Sequence, residues 1–98
     1  MKPLFSIITI TYNAAETIET TFRSVVGQSF TNYEYIVVDG DSKDGTVDFL
    51  RSRKDHLTEF ISEPDKGLYD AMNKGMHLAK GEYLIFLNAG DTFHSENT

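Results

Sequence analysis

A chain of 98 residues, 40% hydrophobic and 24% charged, has the balance of one globular domain, residues 1–98, with no room for a second. Its net charge of −6 excludes a nucleic-acid backbone as partner, because such binding draws its affinity from Lys and Arg. No apolar stretch approaches the ~20 residues of a membrane span, and no cysteine is present for a disulfide framework or a thiolate metal site.

Met1-Lys2-Pro3-Leu4-Phe5 runs directly into an apolar segment without a signal-peptide pattern, so a cytoplasmic protein is expected. SIITITYN (Ser6–Asn13) reads as a first strand buried on both faces. Asn13 and Glu16 have the spacing of a capping box, which predicts a helix starting near Ala14. Its stripe would be Ala15, Ile18, Phe22, Val25 and Val26, with Gly27 at the end. YEYIVVDGDS (Tyr33–Ser42) is a second strand ending at Asp39, followed by a turn and a short helix bearing Val47 and Leu50, with Ser42 or Asp44 as its cap. Glu59–Ser62 is a short third strand stopped by Glu63-Pro64. Leu68, Ala71, Met72, Gly75, Leu78 and Ala79 mark the clearest helix, which Gly81 would end. A last strand, Tyr83 to Leu87, runs into Asn88-Ala89-Gly90-Asp91.

Alternation of strand and helix as βαβαβαβ predicts an α/β fold, a mostly parallel Rossmann-like sheet with helices on both faces. Three strands end in clusters of Asn, Asp and Gly, and in open α/β sheets ligands bind beyond the carboxyl ends of the strands. Neither GxGxxG nor GxxxxGK[ST] is present, which disfavours an NAD-type Rossmann domain and a P-loop NTPase. Residues 34–66 carry nine acids against five bases, and Asp39, Asp41, Asp44 and Asp65 fall at or beside strand ends, where carboxylates can converge on a hard cation. Asp48, Asp55 and Glu59 are as readily a solvated acidic surface.

The run Val37-Val38-Asp39-Gly40-Asp41-Ser42-Lys43-Asp44-Gly45-Thr46 resembles the VDDGSxDGT signature of family 2 glycosyltransferases, which have the GT-A fold. SIITITYN resembles that family's opening strand, SEPDKGLYDAMNKG (Ser62–Gly75) its linker and helix before the fourth strand, and GEYLIFLNAGD (Gly81–Asp91) its segment with the DXD metal motif. The resemblance covers essentially the whole chain and implies the nucleotide-binding half of the fold, truncated after the fourth strand.

By the same resemblance the activity is transfer of a sugar from a nucleotide diphosphate donor, a UDP-sugar, to an acceptor hydroxyl with inversion, using Mn²⁺ or Mg²⁺. Asp39 matches the carboxylate that reads the base, with Thr11, Tyr12 and Asn13 lining its pocket. Asp41 is grouped with these nucleotide-binding residues, a turn-forming role being its alternative. Lys66 is placed to approach the diphosphate or ribose. Asp91 matches the last acid of the metal motif and Asn88 stands where an acid is usual, so these two form the expected metal site. The catalytic base and the acceptor surface, for a saccharide or a lipid-linked acceptor, lie downstream of Asp91 in the family. The chain is therefore expected to be inactive alone. The full-length enzyme is expected in polysaccharide or glycoconjugate biosynthesis, cytoplasmic or peripheral to the inner face of the membrane. The competing readings are a non-catalytic nucleotide- or metal-binding interaction module and a receiver-like signalling domain; an exposed edge of the truncated sheet is also expected to favour a homodimer. The receiver reading would want acids after the first strand, where this chain has Thr11-Tyr12-Asn13.

Overall fold

A computed structural model describes residues 3–27 and 32–89. Four strands, β1 (Phe5–Thr11), β2 (Tyr33–Asp39), β3 (Glu59–Ser62) and β4 (Tyr83–Asn88), form one sheet in the order β3-β2-β1-β4. All pairings are parallel, with Ile7 opposite Tyr35 and Ile85, and Ile36 opposite Glu59. Three α-helices connect them: α1 (Ile18–Val26), α2 (Thr46–Ser52) and α3 (Leu68–Leu78).

The apolar runs are unbroken because the central strands are covered on both sides. Odd-numbered positions of β1 and β2 (Ile7, Tyr35, Val37) pack with Ile18, Phe22 and Val25 of α1 and Leu50 of α2. Even-numbered positions (Ile8, Ile36, Val38) pack with Ala71 of α3 on the other side. Ile7, Ile8, Ile36, Val37 and Val38 are fully buried, and each contributes roughly 1.5–3 kcal/mol of transfer free energy. The expected helices on both faces are thus present. Tyr35 is a polar group inside this core. Burial pushes its hydroxyl up to about 12, a bond with Thr9 Oγ1 at 2.9 Å pulling the other way and the neighbouring Tyr33 adding to the rise.

At the amino ends of the strands the buried Glu34 closes the connection from α3 to β4. Its Oε2 accepts hydrogen bonds from Ser6 Oγ at 2.6 Å and from the Lys80 amide at 2.5 Å, while the Gly81 amide donates to Ser6 Oγ at 2.8 Å. α3 ends at Leu78, with Ala79 rather than Gly81 as its terminal cap.

The first helix starts four residues later than the capping-box reading predicts. Asn13 adopts φ +49, and its Oδ1 accepts from the Lys43 amide at 2.8 Å instead of capping α1. The Ala14–Thr17 segment is a turn, Ala14 O accepting from the amides of Thr17 and Ile18. The local signal was outcompeted by partners about thirty residues away, a contact that sequence spacing does not encode.

The connection from β3 through α3 to β4 carries the chain from one edge of the sheet to the other, passing β2 and β1. The order of strands reverses there, and the crevice at such a switch point lies beyond the carboxyl ends of β1 and β4.

Candidate functional site

The site is built by the turn after β2, whose side chains alternate in task. Asp39 is fully buried, and its carboxylate accepts four hydrogen bonds: Oδ1 from Thr11 Oγ1 at 2.6 Å and Ser42 Oγ at 2.5 Å, Oδ2 from the Ser42 amide at 2.8 Å and Ser62 Oγ at 2.9 Å. Burial pushes the group upward, but the bonds from Ser42, Thr11 and Ser62 outweigh it and hold the carboxyl below its ordinary range. One ion thereby clamps the ends of β1, β2 and β3.

The rest of the turn binds the entry to α1. Amide donors of Asn13, Ala14 and Ala15 are satisfied by Ser42 Oγ (2.7 Å), Thr46 Oγ1 (2.8 Å) and Asp44 Oδ2 (3.1 Å). Asp44 Oδ1 also accepts from the Thr46 amide and hydroxyl at 2.9 and 2.6 Å, which starts α2 and keeps Asp44 below its ordinary range, those Thr46 bonds being the largest cause. The N-terminal cap of α2 is Gly45, with no side-chain cap bond, in place of the expected Ser42 or Asp44; Asp44 acts from one position before it. With Asp39, Ser42 and Thr46 buried and Asp44 bonded back onto the turn, Asp41 and Lys43 face outward, paired at 3.0 Å, with Asp41 at φ +67. Two non-glycine residues, Asn13 and Asp41, adopt positive φ in these turns, a conformation that Asn and Asp tolerate better than other side chains.

Two adjoining clefts open at the carboxyl ends of the strands. One, about 370 Å³, is lined by Tyr12, Gly40, Asp41, Lys43, Pro64 and Asp65. The other, about 330 Å³ and more apolar, lies between Thr11, Tyr12, Leu68 and Ala71, with Asp65 and Asn88 at its rim. Tyr12 and Asp65 line both. Tyr12 is 66% exposed and offers an open aromatic face, while Asp65 accepts from the Gly67 amide at 3.1 Å and keeps its second oxygen against Gly40.

Of the residues singled out in the sequence, Thr11, Tyr12, Asp41 and Asn88 line these clefts, and Asp39 lies beneath them. Asn13 and Lys66 are exposed and line neither; the Lys66 amide donates to Asp70 Oδ2 at 2.9 Å. Asp91 is outside the described residues. Asp65 and Lys43 are absent from the expected contact set. The signal for Asp65 was its place directly after the strand-stopping Pro64, among the strand-end acids. Among the described residues no three His, Cys, Asp or Glu side chains converge as metal ligands. Asn88 supplies a hard oxygen donor at the cleft rim, of the kind Mg²⁺ and Mn²⁺ accept. Facing the polar cleft, two carboxylates, Asp41 and Asp65, stand against one ammonium, Lys43.

The parallel sheet with helices on both faces and a crevice at its switch point matches the nucleotide-binding half of the GT-A fold seen in solved glycosyltransferases. The chain belongs to glycosyl transferase family 2, whose family model matches residues 6–98. It is 37% identical to a PGL/p-HBAD biosynthesis glycosyltransferase of Mycobacterium bovis over 98% of this chain and 39% of that protein. Its identity to the putative teichuronic acid biosynthesis glycosyltransferase TuaG of Bacillus subtilis is 38%, over 97% of this chain and 39% of the relative. The chain thus spans about two fifths of the length of these relatives. Among solved structures it superposes on S. aureus TarS 1-349 in complex with UDP-GlcNAc with a TM-score of 0.86 and 27% identity, covering 99% of this chain and 29% of TarS 1-349. The mannosyltransferase PcManGT from Pyrobaculum calidifontis in complex with GDP-Man and Mn²⁺ superposes with a TM-score of 0.84 and 27% identity, over 95% of this chain and 29% of that one.

Proposed function

We propose that this chain binds the nucleoside diphosphate of a sugar donor for transfer to an acceptor hydroxyl. In the whole enzyme the hydroxyl oxygen attacks the anomeric carbon with inversion, the bond to the diphosphate breaks, and the hydroxyl proton passes to a base outside the described residues. The observation that carries the reading is the pair of clefts sharing Tyr12 and Asp65 at the carboxyl ends of β1, β2 and β4.

Tyr12 stacks on the base, a contact worth about 1–3 kcal/mol per base in single-stranded nucleic-acid sites. Uracil and guanine, the bases of the donors bound by TarS and PcManGT, each carry a ring N–H beside a carbonyl. A carboxylate beside an ammonium matches that edge, and Asp65 and Lys43 supply the two in the polar cleft. Asp39, expected to read the base itself, has four donors in place, so a base N–H reaching it must displace one of them. Asp65 meets the base without that exchange. Thr11 and Asn13 shape the β1 side, and Asp41 orients Lys43. Lys66, exposed on the loop after Asp65, is assigned to the diphosphate or ribose.

Asn88, which lines the second cleft, and Asp91, outside the described residues, would together hold a divalent metal, Mn²⁺ or Mg²⁺. When bound, the metal offsets the charge that gathers on the departing diphosphate. UDP is the proposed nucleotide, and the whole enzyme is assigned to polysaccharide or glycoconjugate synthesis on a saccharide or lipid-linked acceptor. Among the described residues no helix is long and apolar enough to cross a membrane.

The test is the melting temperature of the 98-residue chain with UDP, with and without Mn²⁺. A ligand held at a hundred times its Kd stabilises by about 2.7 kcal/mol, a shift of roughly 10 °C or more at this size. A manganese-dependent rise is expected, and no rise with either UDP or GDP overturns the reading. A second reading, pairing with another copy, draws on Tyr83 (58% exposed) and Leu84 (41% exposed) of the edge strand β4. A monomer by sedimentation at high concentration rules it out.

A further inference from the structure

The loop that presents Asp65, residues 63–67, has few ties to the sheet. At its start the Glu63 amide donates to Asp39 O at 3.0 Å. At its end Gly67 has φ +117 and ψ −176, a conformation open to glycine and strained for any other residue. Between these points one side chain from two turns along α3 takes hold. Lys74 Nζ donates to Pro64 O at 3.0 Å and pairs with Glu63 Oε1 at 3.2 Å and Asp70 Oδ2 at 3.7 Å. Asp70 Oδ2 in turn accepts from the Lys66 amide at 2.9 Å, so the ammonium and its partner carboxylate hold the loop at both of its sides.

Lys74 is the least exposed of the ion-paired side chains, at 20%, whereas Lys43 and Arg23 are above 70%. Its stem is packed, and its head faces three acceptors. Burial pulls its ammonium down, but Glu63 first, then Asp70 and Asp65, hold it above its ordinary value, so it stays charged. Ordinary surface pairs contribute little because their long side chains must first be ordered. Here packing on α3 has already ordered the lysine, and one of its three acceptors is a backbone carbonyl next to Asp65.

We propose that Lys74 is a positioning residue: it touches no ligand but fixes the Glu63–Gly67 loop so that the Asp65 carboxylate stands in the wall shared by both clefts. The proposal rests on the donor-site reading above for its functional consequence. Without the ammonium, Glu63 and Asp70 repel each other across the loop and Pro64 O loses its donor. Asp65 then samples positions away from Gly40 and Tyr12.

The test compares Lys74→Met and Lys74→Arg with the parent chain by UDP titration in Mn²⁺ and by backbone amide exchange of the ligand-free protein. Methionine keeps the packed stem, and arginine keeps the charge and the donors. Lys74→Met is expected to raise the Kd for UDP roughly tenfold, with Lys74→Arg recovering most of that loss and both variants melting close to the parent. The Lys66 and Gly67 amides are expected to exchange faster in Lys74→Met alone, while amides of β1 and β2 do not change. Equal UDP affinity of Lys74→Met and the parent overturns the proposal, as does unchanged exchange at Lys66 and Gly67. If the parent binds neither UDP nor GDP, the donor reading fails, and the exchange comparison alone decides whether Lys74 positions the loop.

Discussion

The Oδ2 atom of Asp65 lies so close over Gly40 that a Cβ added to the glycine would stand 2.8 Å from it, and 3.4 Å from Tyr12 Cδ1. Gly40 is the residue after β2, and its amide already donates to Thr11 O at 2.9 Å, so the backbone is fixed. A methyl group there is accommodated by moving Asp65, the end of a side chain on a loop. Gly40→Ala is therefore expected to melt close to the parent while its Kd for UDP rises roughly tenfold. An affinity equal to the parent's would remove Asp65 from the ligand site.

Tyr12 sets the second expectation. Its ring is largely exposed, so truncation removes little buried area, yet it lines both clefts. Tyr12→Ala should weaken UDP by about 1–3 kcal/mol, and Tyr12→Phe by far less, because stacking needs the ring and not the hydroxyl. Calorimetric titration of both variants separates the two. Equal losses would assign the contact to the hydroxyl.

The strands and the layering were legible in the residues because near-continuous apolar runs are needed only where both faces are covered, as at Ile7-Ile8 and Ile36-Val37-Val38. The polar strand ends located the crevice for the same reason. What spacing could not reveal was how each polar side chain is spent. Asp39 and Asp41 look alike in the run Asp39-Gly40-Asp41, yet the first is buried under four donors and the second is left at the mouth. Asn13 read as a local cap and instead accepts from Lys43, because parallel pairing of β1 with β2 brings the two turns together.

Acid should act on this fold through Asp39. A carboxyl held below its unfolded value of 3.8 contributes stability that is complete above that value and is lost as pH falls through the lower, folded value. Asp44 is shifted the same way and adds a smaller, exposed share. Stability should therefore be level near neutrality and fall below about pH 4. Asp39→Asn removes the charge-assisted bonds from Thr11, Ser42 and Ser62 and should cost about 2–4 kcal/mol at pH 7, with a shallower fall in acid. Denaturant melts at pH 7 and pH 3 test both. An unchanged acid slope in Asp39→Asn would mean that other carboxylates govern it.

Gly75 is where α3 meets the sheet, and a Cβ there would lie 2.6 Å from Ile8 Cγ2. Two effects oppose each other in Gly75→Ala. Alanine favours a helix interior over glycine by about 1 kcal/mol, while forcing a methyl into a packed contact costs about 1–3 kcal/mol. Ile8 is fully buried in a parallel strand with Ile36 on one side and Phe86 on the other, so it cannot turn aside. The packing cost should win, leaving Gly75→Ala less stable by up to about 2 kcal/mol and its Tm lower by up to roughly 15 °C. Ile8→Ala removes the atom that clashes. By itself it should cost about 2–5 kcal/mol as a cavity, but the added methyl of Gly75→Ala partly fills that cavity. The double variant is therefore expected to be more stable than the sum of the single losses by at least about 1 kcal/mol. Strict additivity in that cycle would show that α3 shifts as a body instead of pressing on Ile8.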